Sequence, residues 1–397
     1  MNPYFKKTAF AIICTSTLLL SACGDGDDDF VFVSEKKTFN VDADVQSVVN
    51  VHDVFTYTMP SVLKKDIKAT TLVFTPKGTV PVGGWPVVVW AHGTTGAADQ
   101  CAPSRNALNG LEKDLIVALI KKGYAVVAPD YEGLGNDSVP HPYLNLTSAA
   151  QSILFAVQEV NKKYANLSKD WSVIGWSQGG HAALAAAEFN QALTGYDFKG
   201  TVAIAPASYL AETLDLGMFV ANETAKAGDL ASATAIGATL YTYAAIVSSG
   251  IKAGQTSFNY NQAFLDTKVP IAQQAETLCS PELGQKFASD IQATLVANNG
   301  DFAAYQALQP NFKTDPDIKQ YLNVNMPAKT KLDKPVYIYQ GTADTTVPYP
   351  ITEELVSNMQ QLGTDVELIT KLGATHSTAV ANNIPELVNT VDMLMKE

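Results

Sequence analysis

The residue pattern predicts an α/β fold: a mostly parallel sheet with flanking helices and a helical insertion of about 120 residues before its last two strands. Three observations carry this. Short, wholly apolar runs such as residues 87–90 (VVVW), 125–128 (AVVA) and 201–205 (TVAIA) suit strands buried on both faces. Segments of helical spacing alternate with them, as right-handed βαβ units require. A serine flanked by glycines directly follows one apolar run and opens a helix.

Taken in order, the chain begins with Lys6 and Lys7, then a mostly apolar run over residues 8–20. That run is too short to span a bilayer comfortably and has the length of a signal-peptide core. Leu20-Ser21-Ala22-Cys23 follows and resembles a bacterial lipobox, where lipid joins the cysteine thiol and the chain is cut just before it. Residues 1–22 are therefore expected to be a signal peptide and Cys23 the lipidated residue, placing the protein on a bacterial cell envelope. An ordinary signal peptide with an incidental cysteine is the plainer alternative and would leave it secreted or periplasmic. Gly24, rather than Asp, after the cysteine favours the outer membrane of a Gram-negative cell, by resemblance to sorted lipoproteins. Residues 24–29 (GDGDDD) repel one another and bury nothing, so residues 23–37 are expected to form the lipidated cysteine and an acidic tether. They lack the ligand spacing and closing Glu of a calcium loop.

The folded domain is expected over residues 38–397. Residues 67–75 (IKATTLVFT) alternate like an early antiparallel strand. The strand at 87–90 is followed by a helix at 112–122, closed by Gly123. After the strand at 125–128 come a helix at 148–164, a strand at 171–175 (WSVIG) and an Ala-rich helix at 179–190. The strand at 201–205 ends this series. From about 208 to 330 there are helical stretches, such as 231–247 and 290–297, but no convincing buried strand. Strands at 336–340 (VYIYQ) and 366–370 (VELIT) and a helix near 385–396 close the chain. No internal repeat and no spanning helix after residue 20 is legible.

Composition sets broad limits. Of 397 residues, 47% are hydrophobic and 17% charged, which supports a large core and argues against disorder. The net charge is −12, and removal of Lys6 and Lys7 would take it to −14. Such a chain repels nucleic-acid phosphates, so nucleic acid is not an expected partner.

Gly175-Trp176-Ser177-Gln178-Gly179 matches G-x-S-x-G between a strand and a helix. This is the context of a nucleophile elbow, and the α/β-hydrolase fold follows from it. A serine hydroxyl needs a base, and in this fold the chain order is Ser, acid, His. Of the five histidines only His181 and His376 follow Ser177. His181 sits on the helix leaving the elbow, where packing or polar support is its expected role. His376 lies in the loop after the last strand and is the expected base. Asp344, just past the strand at 336–340, is the expected acid, orienting the imidazole. Asp365 competes, but it precedes its strand and so belongs at the opposite end of the sheet. The loop His92-Gly93-Thr94-Thr95-Gly96 follows the strand at 87–90, and the amides of Thr94 and Gln178 are the expected oxyanion donors. His92 then holds the loop. Cys101 and Cys279 remain once the signal segment is removed; a disulfide is one expectation for an oxidising compartment, two buried free thiols the other.

Several of these pieces resemble the bacterial and fungal secretory lipase family of α/β-hydrolases. The matching residues are His92 to Gly96, Cys101-Ala102-Pro103-Ser104, Pro129-Asp130-Tyr131-Glu132-Gly133-Leu134-Gly135, His141-Pro142-Tyr143, and Gly175 to Gly180. Similarity runs from about Ile67 to the C-terminus and is weakest in the insertion. The resemblance implies acyl-ester hydrolysis without metal or organic cofactor, and a cap over the acyl site. It departs at Trp176, where histidine or tyrosine is usual, and at Thr375, where glycine often precedes the base. The expected substrate is a small-molecule or lipid ester, and 237–247 (GATLYTYAAIV) is apolar enough to line its pocket. A serine peptidase with the same triad, or a non-catalytic surface binding lipoprotein, is the alternative. Acyl chain length, alcohol portion and oligomeric state are not legible.

Overall fold

In the computed structural model, which describes residues 34–135 and 139–396, the apolar runs become strands where the sequence predicts them. The expected signal peptide, Cys23 and the acidic run at 24–29 lie outside the described residues. The chain enters through β1 (Glu35–Thr38), α1 (Ala43–Val48), β2 (Val49–Pro60) and β3 (Asp66–Pro76). Then β4 (Trp85–Ala91), α2 (Gly110–Lys122), β5 (Ala125–Pro129), α3 (Leu146–Lys163), β6 (Leu167–Trp176), α4 (Gln178–Phe189) and β7 (Asp197–Ile204) alternate. The insertion holds α5 (Leu210–Lys226), α6 (Leu230–Gly254), α7 (Val269–Ala272), α8 (Ser280–Ala297) and α9 (Pro316–Val324). Finally come β8 (Val336–Gly341), α10 (Tyr349–Gln361), β9 (Val366–Lys371), α11 (Thr378–Ala381) and α12 (Ile384–Leu394).

All nine strands form one sheet in the order β1-β2-β3-β5-β4-β6-β7-β8-β9. The six from β5 to β9 are parallel, and β1, β2 and β3 form an antiparallel edge. Central strands are covered on both sides, which explains their unbroken apolar runs. Residues of α3, α4 and α10 join one core cluster, and those of α1, α2 and α12 another. The insertion has its own core, including Tyr241, Phe264, Phe287 and Ile291.

Register decides where chemistry can occur. Ala91 of β4 lies opposite Gly175 of β6, Trp176 opposite Ile204 of β7, and Gly341 of β8 opposite Lys371 of β9. The carboxyl ends of these five strands therefore meet along one sheet edge, where open α/β sheets bind ligands.

Some elements differ from the sequence reading. β1 begins at Glu35, inside the stretch expected to be tether, and its four residues are all exposed. Its charges suit an edge strand that must not recruit another chain. β2 pairs with β3 from Val49 to Pro60 and has no counterpart among the expected strands, although Phe55, Tyr57 and Met59 alternate inward. α10 has no counterpart among the expected helices. α6 is long and apolar enough to cross a membrane by length and composition. Its buried residues, among them Ala245, Ile246 and Ile251, instead pack in the insertion's core.

Candidate active site

Between β6 and α4 the chain turns at one residue, Ser177, with φ 59° and ψ −114°. A non-glycine residue there is strained and needs neighbours to hold it. The Ser177 N–H donates to the Ile204 carbonyl at 2.9 Å, and the Ser177 carbonyl accepts from His181 N at 3.0 Å and Ala207 N at 3.1 Å. The flanking glycines are steric necessities. A Cβ added at Gly175 would lie 2.0 Å from the Gly179 carbonyl oxygen, and one at Gly179 1.8 Å from that of Ala91.

His376 follows β9. Its Nδ1 lies 2.8 Å from Asp344 Oδ2. The Asp344 carboxylate is buried and fully engaged: Oδ1 accepts from Thr346 N and Val347 N at 2.8 and 2.9 Å, and Oδ2 also accepts from Gln340 Nε2 at 3.0 Å. In the neutral tautomer that donates from Nδ1 to the carboxylate, the lone pair lies on Nε2. Nε2 is buried and has no hydrogen-bond partner among the described residues. The residue beside the serine, Trp176, donates from Nε1 to the His376 carbonyl at 3.0 Å, which brings the base loop against the elbow. Asp365 sits at the other end of β9, its carbonyl accepting from Val336 N.

The other buried histidines are committed elsewhere. His92 bonds to Gly93 O through Nδ1 and to Asp130 O through Nε2, at 2.7 and 3.3 Å. His141 bonds to Glu132 O at 2.6 Å and to Gln178 Nε2 at 3.0 Å. His181 bonds to Asn325 O at 2.8 Å, tying α4 to the end of α9. Burial pushes all three down to about 4, so they stay neutral near neutral pH.

The loop after β4 lies against the elbow because β4 and β6 are neighbours. Neither the Thr94 nor the Gln178 amide has an acceptor among the described residues. Gln178 also opens α4, whose N-terminus favours negative charge. The Thr94 hydroxyl pairs with Tyr143 Oη at 2.7 Å. From the insertion, Ser280 N–H donates to Thr95 O at 2.8 Å and Ser280 Oγ to Thr94 O at 3.3 Å. Cys101 and Cys279 are disulfide-bonded with Cα atoms 5.4 Å apart, fastening the same two segments.

Sequence reasoning left several bracing residues without a role. Tyr131 Oη donates to His92 O at 3.0 Å. Asp130 is fully buried and accepts from Thr70 Oγ1 at 2.5 Å and Ser104 N at 2.9 Å; burial raises it to about 6. Glu132 accepts from Val62 N at 2.9 Å and Ser148 Oγ at 2.5 Å. Asp130, Tyr131 and Glu132 were legible only as part of the PDYEGLG segment that carries the family resemblance, with no role attached.

Ser177 lines an apolar pocket whose walls come largely from the insertion: Leu214, Leu240, Ala244, Val247 and Phe312, with Tyr143 beside them. Residues from 237–247 thus contribute, as the sequence suggests. Among the described residues no group of three or more His, Cys, Asp or Glu is placed to hold a metal ion.

A family model described as secretory lipase matches residues 100–392. No curated protein matches the chain. Among solved structures, a rice cell wall degrading esterase, LipA from Xanthomonas oryzae, has TM-score 0.66 at 20% identity, over 92% of this chain and 98% of that one. Candida antarctica lipase A in its closed state has TM-score 0.70 at 16% identity, over 92% of this chain and 82% of that one. At these identities the two structures speak for the fold.

Proposed function

The chain belongs to the secretory lipase family, and from that premise we propose a serine hydrolase that cleaves carboxylic esters through an acyl-enzyme. The observation that carries the reading is His376, held through Nδ1 by a buried Asp344 while its buried Nε2 stands unpaired beside the elbow. Ser177 Oγ attacks the ester carbonyl as His376 Nε2 takes its proton, and Asp344 stabilises the imidazolium that results. The Thr94 and Gln178 amides donate to the oxyanion. Collapse of the tetrahedral intermediate expels the alcohol, protonated by His376. Water, activated by the same base, then releases the acid and restores Ser177. The pocket's apolar walls suit an acyl chain, with the helical insertion as its cap. No metal or organic cofactor takes part.

Assays with p-nitrophenyl esters of graded acyl length, beside peptide p-nitroanilides, test this. Ester turnover rising from acetate to longer acyl groups, with the anilides untouched, is the expected result. Faster turnover of the anilides would make the protein a peptidase.

The family's secretory character supports export. We further propose that the export segment is removed before Cys23, which carries the lipid that anchors the enzyme to the cell envelope, the outer membrane in a Gram-negative cell. Cys23→Ser is expected to shift the protein from the membrane to the soluble fraction. Unchanged fractionation, with no lipid on the mature N-terminus by mass spectrometry, would refute the anchor.

A further inference from the structure

The base loop is tied down on either side of His376: Gly373 N–H donates to Thr342 Oγ1 at 2.8 Å, Ala343 N–H to Ala374 O at 3.0 Å and Thr375 N–H to Thr378 Oγ1 at 2.7 Å, but few contacts reach His376 itself. Among the described residues, His376 makes two polar ones: its ring with Asp344 and its carbonyl with Trp176 Nε1. The first fixes the imidazole about its Nδ1–H axis. The second is the one hydrogen bond to the His376 backbone among the described residues. The preceding loop offers little burial, since Leu372 is 87% exposed. The Trp176 ring also lies against the imidazole, with centroids 5.1 Å apart and planes at 38°. The oxyanion loop also packs against the indole: a Cβ added at Gly93 would lie 2.9 Å from its six-membered ring. One side chain, adjacent in sequence to the nucleophile, therefore spaces both the base and the oxyanion loop.

We propose that Trp176 is a positioning residue for catalysis, its indole N–H holding the His376 backbone so that Nε2 faces Ser177. This rests on the serine-hydrolase reading above. Without the bond, His376 keeps its partner Asp344 but can pivot about that contact, and small displacements of a base slow proton transfer. The ester still enters the same pocket, whose lining does not include Trp176. The loss should therefore fall on kcat and spare KM.

Two substitutions separate the N–H from the ring. Trp176→Phe keeps an aromatic ring and removes the donor. Trp176→His removes the benzo portion, while the imidazole Nε2 takes the ring position of the indole nitrogen. With a p-nitrophenyl ester as probe, Trp176→Phe is expected to lower kcat about fivefold to tenfold, with KM within about twofold, as loss of one hydrogen bond implies. Trp176→His should stay within about threefold of wild type on the same scale. Thermal denaturation accompanies both, and benzothienylalanine at position 176, which keeps the indole's shape without the N–H, replaces either variant that fails to fold. Wild-type kcat in Trp176→Phe or the benzothienylalanine protein would overturn the proposal. So would a Trp176→His enzyme as slow as Trp176→Phe, which would assign the effect to packing. Ser177→Ala run alongside distinguishes a failed premise: if it stays active, the nucleophile assignment falls and not only the role of Trp176.

Discussion

Ser177→Ala is expected to lower kcat for ester hydrolysis by about five to six orders of magnitude, leaving only what binding and the oxyanion donors supply. The fold should survive. The strained φ of 59° is held by backbone bonds to Ile204, His181 and Ala207, none of which uses the hydroxyl. Alanine keeps the same Cβ, so the steric demand at the turn does not change. Circular dichroism and a melting temperature matching wild type would separate lost chemistry from lost structure. His376→Ala should be about as severe, because a serine without a base is a poor nucleophile. Asp344→Asn should cost roughly four orders of magnitude. An amide nitrogen in place of Oδ2 would meet two donors, His376 Nδ1 and Gln340 Nε2, and force the imidazole into the wrong tautomer or orientation. Combining Ser177→Ala with His376→Ala should add little, since the groups act as a unit. An alanine enzyme with near-wild-type turnover would end the proposed mechanism.

The parts of this site that were legible in the sequence share a physical reason. The elbow is local: Gly175 and Gly179 are required by clashes within a few residues and with one neighbouring strand, so its signature is compact. Asp344 and His376 could be assigned because strand ends are readable from apolar runs, and loops after parallel strands must lie on one edge of the sheet. Asp365 could be set aside on the same ground. What holds these groups in place was not legible, because it is long-range. Trp176 reaches His376 across 200 residues, Ser280 reaches Thr94 across 186, and Tyr143 reaches Thr94 across 49. No periodicity encodes such contacts. In the fold, α10 has no counterpart among the expected helices; its Pro350 stands in the first turn, where proline costs no hydrogen bond. β2 was readable in part: Phe55, Tyr57 and Met59 alternate inward with period 2, but Asp53 interrupts the same face.

Replacing Cys101 and Cys279 together by serine is expected to lower stability by about 5 kcal/mol and the melting temperature by roughly 7 °C for a domain of this size. The bond links residues 178 positions apart, so its loss frees a very long loop in the unfolded chain. The paired change avoids leaving one buried thiol unpartnered. The effect should reach the active site. Cys101 follows the oxyanion loop and Cys279 precedes Ser280, whose amide and hydroxyl hold the Thr95 and Thr94 carbonyls. Gly96 pairs with Cys279 across an isolated bridge, and a Cβ added at Gly96 would meet Cys101 Sγ at 2.8 Å. The disulfide thus fixes the insertion against the loop that presents the Thr94 amide. With it gone, two hydrogen bonds from Ser280 remain, so turnover should fall by a factor of about three to ten, far less than loss of a catalytic group. Wild-type enzyme treated with dithiothreitol should melt and turn over as the double variant does, and the variant should not respond to the reductant. Two alkylatable thiols on the folded, oxidised wild type, with no change in melting on reduction, would leave the insertion held by packing and hydrogen bonds alone.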